Sequence, residues 1–283
     1  MKKNLTSFLF VLVCGSAWAQ YTGDPWSKVS ASKKGMLSLA YVETPGFVYK
    51  DNAGNLTGIC VDIMKDFTTW LKDEKGIAVQ VNYVGDGSSF RGMYDKVKAS
   101  SGGVIGLGNI TITEERKKEI KFSPPFITNF AVLITQNRVG TLVKLEDMST
   151  GFAGLTAYTA KGTLNEKRTD ELKSKYFPAM KISYTGSSQE TMEKILTDAN
   201  AFAYLDLAFY LDAVKQRKAI KRHPAGDKAA EQFGFVLPLS SDWGAVLDEF
   251  FAADGGYTTS GDYKHILVKH LGETGVRLLS SVR

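Results

Sequence analysis

Apolar residues recur along this chain with two different periods, and the alternation between them predicts the order of its elements. Met36–Val42 is an apolar run of strand character that ends at the turn signal Thr44-Pro45-Gly46. After a second turn signal, Asp51-Asn52-Ala53-Gly54-Asn55, the residues Ile63, Phe67, Trp70 and Leu71 fall at i, i+4, i+7 and i+8. That spacing puts them on one face of a helix, which Gly76 closes. Val79, Val81 and Tyr83 alternate as a strand, Phe90–Ala99 reads as a helix, and Val104–Leu107 as a third strand. Phe122-Ser123-Pro124-Pro125 interrupts this rhythm, and the strand-like Phe130–Thr135 follows.

A second set of the same kind then begins. Leu155–Thr159, Ile182–Tyr184 and Phe202–Leu205 read as strands, alternating with helices from Thr163, over Glu190–Leu196 and over Ala208–Arg217. Phe233–Pro238 reads as a return strand, ahead of a helix over Trp243–Phe251 and closing helices that add no strand. Strands alternating with helices predict an α/β fold with parallel sheets. Two such units with a late return strand predict two lobes joined by two crossing strands. A cleft between lobes is a preferred place for a small ligand.

The first residues change the picture of where the protein works. Lys2 and Lys3 precede a short apolar run from Leu5 to Val13, and Ala17-Trp18-Ala19 offers a small-residue cleavage site. This is the layout of a secretory signal peptide, too short to span a bilayer. Val13 stands before Cys14 where a lipoprotein signal needs a small residue, so cleavage after Ala19 and a soluble exported product are expected. Only Cys60 then remains, which leaves no intramolecular disulfide in an oxidising compartment. Without Lys2 and Lys3 the 35 basic residues fall to 33 against 30 acids, a formal charge of +3. That balance gives no electrostatic case for nucleic acid. The basic run Lys215-Gln216-Arg217-Lys218 reads as a solvated helix end, and the three histidines show no metal-ligand spacing. No cofactor is expected, and a monomer is.

The chemistry concentrates in Gly108-Asn109-Ile110-Thr111-Ile112-Thr113-Glu114-Glu115-Arg116. A strand ends at Gly108, and open α/β sheets bind ligands at that carboxyl edge. Arg116 lies about one helical turn further on. By itself it fits either a fork onto a ligand carboxylate or an ordinary surface arginine at a helix start. The fork would contribute roughly 1.5–3 kcal/mol per charge-assisted bond. Thr163 and Glu166 form a Thr-x-x-Glu capping box, and Ser187 with Glu190 repeats it. Such helix starts present N–H groups and partial positive charge to anions. Asp206 follows an apolar strand, where a carboxylate is either solvated or in need of a partner.

The run Ile110–Phe126 resembles the signature of the bacterial extracellular solute-binding proteins of the polar amino-acid uptake family, with the type II periplasmic binding fold. Other segments fit in the same order: Pro45-Gly46-Phe47 with Gly58-Ile59-Cys60-Val61-Asp62, then Lys161-Gly162-Thr163. Ala201–Asp206, Phe233–Pro238 and Ser241-Asp242-Trp243 complete the series. The resemblance implies a two-lobed α/β protein, with residues 20–129 and 235–283 in the first lobe, 130–234 in the second, and 1–19 as the leader. It implies that Arg116 clamps a ligand α-carboxylate and Asp206 pairs with its α-ammonium. Thr111 and the Asn109 carbonyl would add hydrogen bonds to the ammonium, and the Gly162-Thr163 turn would support the carboxylate. Tyr41, Glu43, Phe47 and Phe90 occupy the places of the pocket for the ligand's variable group. Each of these aromatics fits a core role equally well, and Glu43 either turns inward, favouring a basic or hydrogen-bonding ligand, or faces water.

Three departures from the pattern bear on the ligand. Asn109 stands where a small residue is common and narrows the pocket. Gly102-Gly103-Val104 lacks the usual aspartate before the third strand, and Cys60 replaces an acidic residue in Gly-x-x-x-Asp. Asp62 reads as structural. The function implied is periplasmic capture of an amino-acid-like zwitterion for an inner-membrane ABC permease, with no catalytic role. Two alternatives stay open: an exported cyclohexadienyl dehydratase-like enzyme using Glu43 as general acid, and a ligand-sensing partner of a receptor.

Overall fold

The computed structural model describes residues 20–228 and 231–280. The expected leader, 1–19, lies outside the described residues. Two five-stranded sheets dominate. In the first, the strand Lys34–Val42 pairs in parallel with Ala78–Gly87 on one side and Val104–Leu107 on the other. Val236–Leu237 then adds antiparallel, followed by Lys121–Phe122 at the edge. In the second, Thr156–Ala160 pairs in parallel with Lys181–Thr185 and Ala201–Asp206, and the antiparallel strands Ala131–Gln136 and Ile220–Arg222 complete it. The protein is thus α/β and two-lobed.

Both sheets are covered on both faces, which explains why inner strands such as Val104–Leu107 and Ala201–Asp206 are buried throughout, whereas the edge strand Ala78–Gly87 alternates. Leu37, Leu39 and Tyr41 face a core built with the helices Ile59–Lys75 and Gly244–Ala252, while Ala40 and Val42 face the helix Phe90–Ala99. In the second lobe Val132, Ile134, Ala203 and Leu205 face one core; Ala131, Leu133, Phe202 and Tyr204 face the other. Successive residues alternate between faces, as a pleated strand requires. The helix Ile59–Lys75 buries Ile63, Phe67 and Leu71, three of the four positions its periodicity singled out. Trp70 stays partly buried, its ring 6.3 Å from that of Phe67. Gly76 ends the helix at φ 63° and returns its N–H to the carbonyls of Leu71 and Lys72, a left-handed cap that glycine adopts without strain.

The crossing region differs from the single return strand that the apolar run predicted. Glu231–Phe233 pairs with Ile127–Asn129 in a separate two-stranded ribbon, and Val236–Leu237 then enters the first sheet. Gly234 and Phe235 separate the two strands; a Cβ on Gly234 would lie 3.0 Å from Ile112 Cδ1 and 3.2 Å from the Ser123 carbonyl. The closing helix Gly261–Ser280 is broken at Gly272 (φ 71°); beyond the break Leu279 packs on both the first-lobe core and a second-lobe core, and Leu278 on the latter. Asp62 is structural: it bonds Lys65 at 3.0 Å, Lys269 at 2.6 Å and His270 Nε2 at 2.7 Å, tying the last helix to the first lobe.

Candidate functional site

Strand ends from both lobes converge on one cavity. On the first-lobe side the strand Val104–Leu107 stops at Gly108, whose φ of 154° turns the chain over the sheet edge. A Cβ there would lie 2.5 Å from Val42 Cγ1, so the turn needs glycine. It delivers Asn109 and Thr111 to the cavity wall. Thr113 then caps the short helix Glu114–Lys117, accepting a bond from the Arg116 N–H at 3.1 Å. This cap fixes the stem of Arg116, whose guanidinium donates to the Thr111 carbonyl at 2.9 Å and lies 4.9 Å over the ring of Phe90. Burial lowers its pKa from the usual arginine value. Among the described residues no carboxylate forms an ion pair with it.

On the second-lobe side, Asp206 ends the strand Ala201–Asp206 and starts the helix Leu207–Lys215. It is 6% exposed, and its carboxylate accepts bonds from the side-chain amides of Asn109 and Asn129. Burial raises its pKa to about 6, against the opposing pull of Arg168. It too lacks an ion pair among the described residues. The helix Leu164–Lys175 begins at Thr163, which accepts from the Glu166 N–H at 3.4 Å. Thr163 lines the cavity, as does Ser187, the cap of Ser188–Thr197.

The structure brings Glu43, Phe90, Asn109, Thr111, Arg116, Thr163 and Asp206 to this cavity, whose volume is about 50 Å³. Glu43 faces it half-buried, held by Lys50 at 3.1 Å. Gly162 lies just outside, and its N–H donates to Glu166 Oε2 at 2.6 Å, so that amide is occupied within its own turn. Tyr41 and Phe47, placed in the pocket by the resemblance, are instead core residues. The Phe47 ring sits 5.6 Å from that of Phe233, and Tyr41 packs edge-on to Tyr83 at 6.5 Å. Both join the core shared with the helix Ile59–Lys75, Tyr41 from the strand Lys34–Val42 and Phe47 from the turn that follows it. The side chain of Asn109 goes further than narrowing the pocket: its amide bonds Asp206 across the cleft, while its oxygen accepts from Thr44 at 3.0 Å.

Three further residues escaped the sequence reading. Arg168 is 6% exposed, lines the cavity and forms an ion pair with Glu231 on the crossing ribbon. Asn165, one turn earlier on the same helix face, accepts from the same guanidinium. Glu231 also accepts from the Thr111 hydroxyl at 3.2 Å. The i, i+3 spacing of Asn165 and Arg168 was the only available signal, and a polar helix carries many such pairs. Glu115 and Lys167 add a contact between the lobes at 2.5 Å.

The arrangement can bind a small molecule that carries opposite charges at its two ends. Residues 37–273 match the family described as bacterial extracellular solute-binding proteins, family 3. No curated protein matches the chain by sequence. Among solved structures, an ancestral arginine-binding protein bound to arginine is similar at 21% identity and a TM-score of 0.65, over 84% of this chain and 98% of that one. The arginine-, lysine-, histidine-binding protein ArtJ from Geobacillus stearothermophilus is similar at 18% identity and 0.67, over 84% and 96%. An ancestral amino acid-binding protein described as a precursor of cyclohexadienyl dehydratase is similar at 19% and 0.63, over 87% and 98%.

Proposed function

The chain belongs to the bacterial extracellular solute-binding proteins, family 3, and from that membership we propose that it captures an amino acid or similar small zwitterion between its lobes. The observation that carries this reading is a pair of opposite charges on opposite walls of one cavity. Arg116 comes from the first lobe and Asp206 from the second, and neither has an ion-pair partner among the described residues. A ligand carboxylate on Arg116 and a ligand ammonium on Asp206 satisfy both at once.

We propose the following order of events. The ligand docks on Arg116 and Thr111 in the first lobe. The second lobe then swings on the two crossing segments, near 129/130 and 234/235, and brings Asp206 and Thr163 onto the ligand's other side. Hinge closure of this type is an established transition of periplasmic binding proteins. The ligand ammonium displaces the Asn109 amide from Asp206, exchanging a neutral donor for a charged one. A micromolar affinity corresponds to about −8 kcal/mol, within reach of a few such bonds after ordering costs. The exported, monomeric protein, cleaved after Ala19, would then present the closed form to an inner-membrane ABC permease in the periplasm.

Catalysis finds less support. A dehydratase mechanism through Glu43 needs a carboxyl free to donate a proton, whereas Glu43 is half-buried and paired with Lys50. A thermal-shift screen of the protein from Gln20, refolded from denaturant, tests the binding reading. A saturable rise with an amino acid, lost in Arg116→Ala, supports it. A folded protein that responds to no amino acid, or an Arg116→Ala variant that responds normally, refutes the clamp.

A further inference from the structure

Resting on the zwitterion reading, we propose that the Arg168–Glu231 pair sets the specificity of the cleft: it selects ligands with uncharged polar side chains and rejects cationic ones. Arg116 and Asp206 are matched by the ligand backbone. Of the other charged groups on the wall, Arg91 bonds Asp95 at 2.9 Å and Glu43 bonds Lys50 at 3.1 Å. Lys161 stands exposed at the rim over the ring of Tyr184, where solvent screens it. Arg168 is matched by Glu231. Among the described residues the wall then offers no unpaired carboxylate to a cationic side chain.

Burying an unmatched charge costs several kcal/mol in the general case, so a lysine- or arginine-like ligand is excluded by what the wall lacks. What remains for a variable group is uncharged: the hydroxyls of Thr44, Ser187 and Ser188 and the amide of Asn165, beside the apolar Val42, Phe90, Ala160 and Leu164. The cavity is small, about 50 Å³, and the ligand's ammonium and carboxylate share it with the side chain. That favours a short side chain bearing a hydroxyl or carboxamide.

Glu231 is built to stay matched. It lies on the crossing ribbon, receives Arg168 from the second lobe and the Thr111 hydroxyl from the first, and sits within electrostatic reach of both Arg116 and Asp206. Arg168 is in turn oriented by Asn165. Removing either partner leaves a buried charge of known sign beside the ligand.

The test is a reciprocal switch, read by isothermal titration with serine, threonine, asparagine, glutamine, arginine, lysine, glutamate, aspartate and leucine. The wild type should bind one of the uncharged polar amino acids most tightly. Arg168→Met frees Glu231 and should improve arginine or lysine relative to that ligand by roughly 10- to 100-fold, the worth of one charge-assisted bond. Glu231→Gln, nearly isosteric, frees Arg168 and should improve glutamate or aspartate by a similar factor. Should Arg168→Met fail to fold, Glu231→Gln carries the test alone. A wild type that prefers arginine or lysine, or variants that keep the wild-type ranking, overturns the specificity proposal and leaves amino-acid capture standing. A folded wild type silent toward all nine overturns the zwitterion reading and this inference with it.

Discussion

Replacing Asp206 with asparagine should make the ligand-free protein more stable while removing its ligand response. Asp206 is 6% exposed, and burial raises its pKa to about 6 from the usual aspartate value of 3.8. A folded pKa above the unfolded one means that the folded state holds the proton more tightly. The stability this provides is complete below about pH 3.8, is lost as pH rises through about 6, and stays lost above. At 1.36 kcal/mol per unit, the ionised carboxylate costs the folded protein about 3 kcal/mol at neutral pH. Asparagine keeps the shape and the bond to Asn109 without that charge. The ligand-free Asp206→Asn protein should therefore melt about 6–12 °C above wild type at pH 7.5, and the gap should close toward pH 4. Differential scanning calorimetry of refolded protein across that range measures it. A variant that is less stable at pH 7.5, or whose difference from wild type is independent of pH, refutes the reasoning.

Two other expectations follow from the same groups. Because an ammonium needs the ionised carboxylate, the Kd for the ligand should be flat above pH 7 and rise about tenfold per unit below about pH 6; a Kd unchanged down to pH 5 would separate Asp206 from binding. Cys60 is fully buried with its Sγ 3.7 Å from the Gly108 carbonyl, and burial raises its pKa. Ellman's reagent should therefore leave the native protein from Gln20 unmodified and titrate one thiol per chain in denaturant, and fast native reaction would contradict the packing.

The order of strands and helices was legible because both sheets are buried on two faces. The strand Val104–Leu107 is apolar at every position, and the helix Phe90–Ala99 has the bounds its pattern predicts. The short strands were not legible. Lys121–Phe122 and Ile220–Arg222 owe their conformation to a neighbouring strand rather than to any alternation of their own. The break at Gly234 was hidden inside one apolar run. In the site, Arg116 stood out as the arginine of the motif that follows a strand end, and Asp206 as the carboxylate closing an apolar strand. Tyr41 and Phe47 were ambiguous, since an aromatic beside a turn suits core and pocket alike, and tertiary packing decided for the core. Arg168 and Glu231 could not be read at all. Each is an ordinary charged residue in sequence, and only the fold brings 168 and 231 together.

The central claim is that Arg116 and Asp206 read the two charged ends of one ligand. Isothermal titration with the best-binding amino acid, its α-carboxamide and its N-acetyl derivative tests this most directly. One site is expected for the parent amino acid and a loss of at least about 100-fold for each derivative, since each leaves one buried charge unmatched. A derivative that binds as tightly as the parent would contradict it.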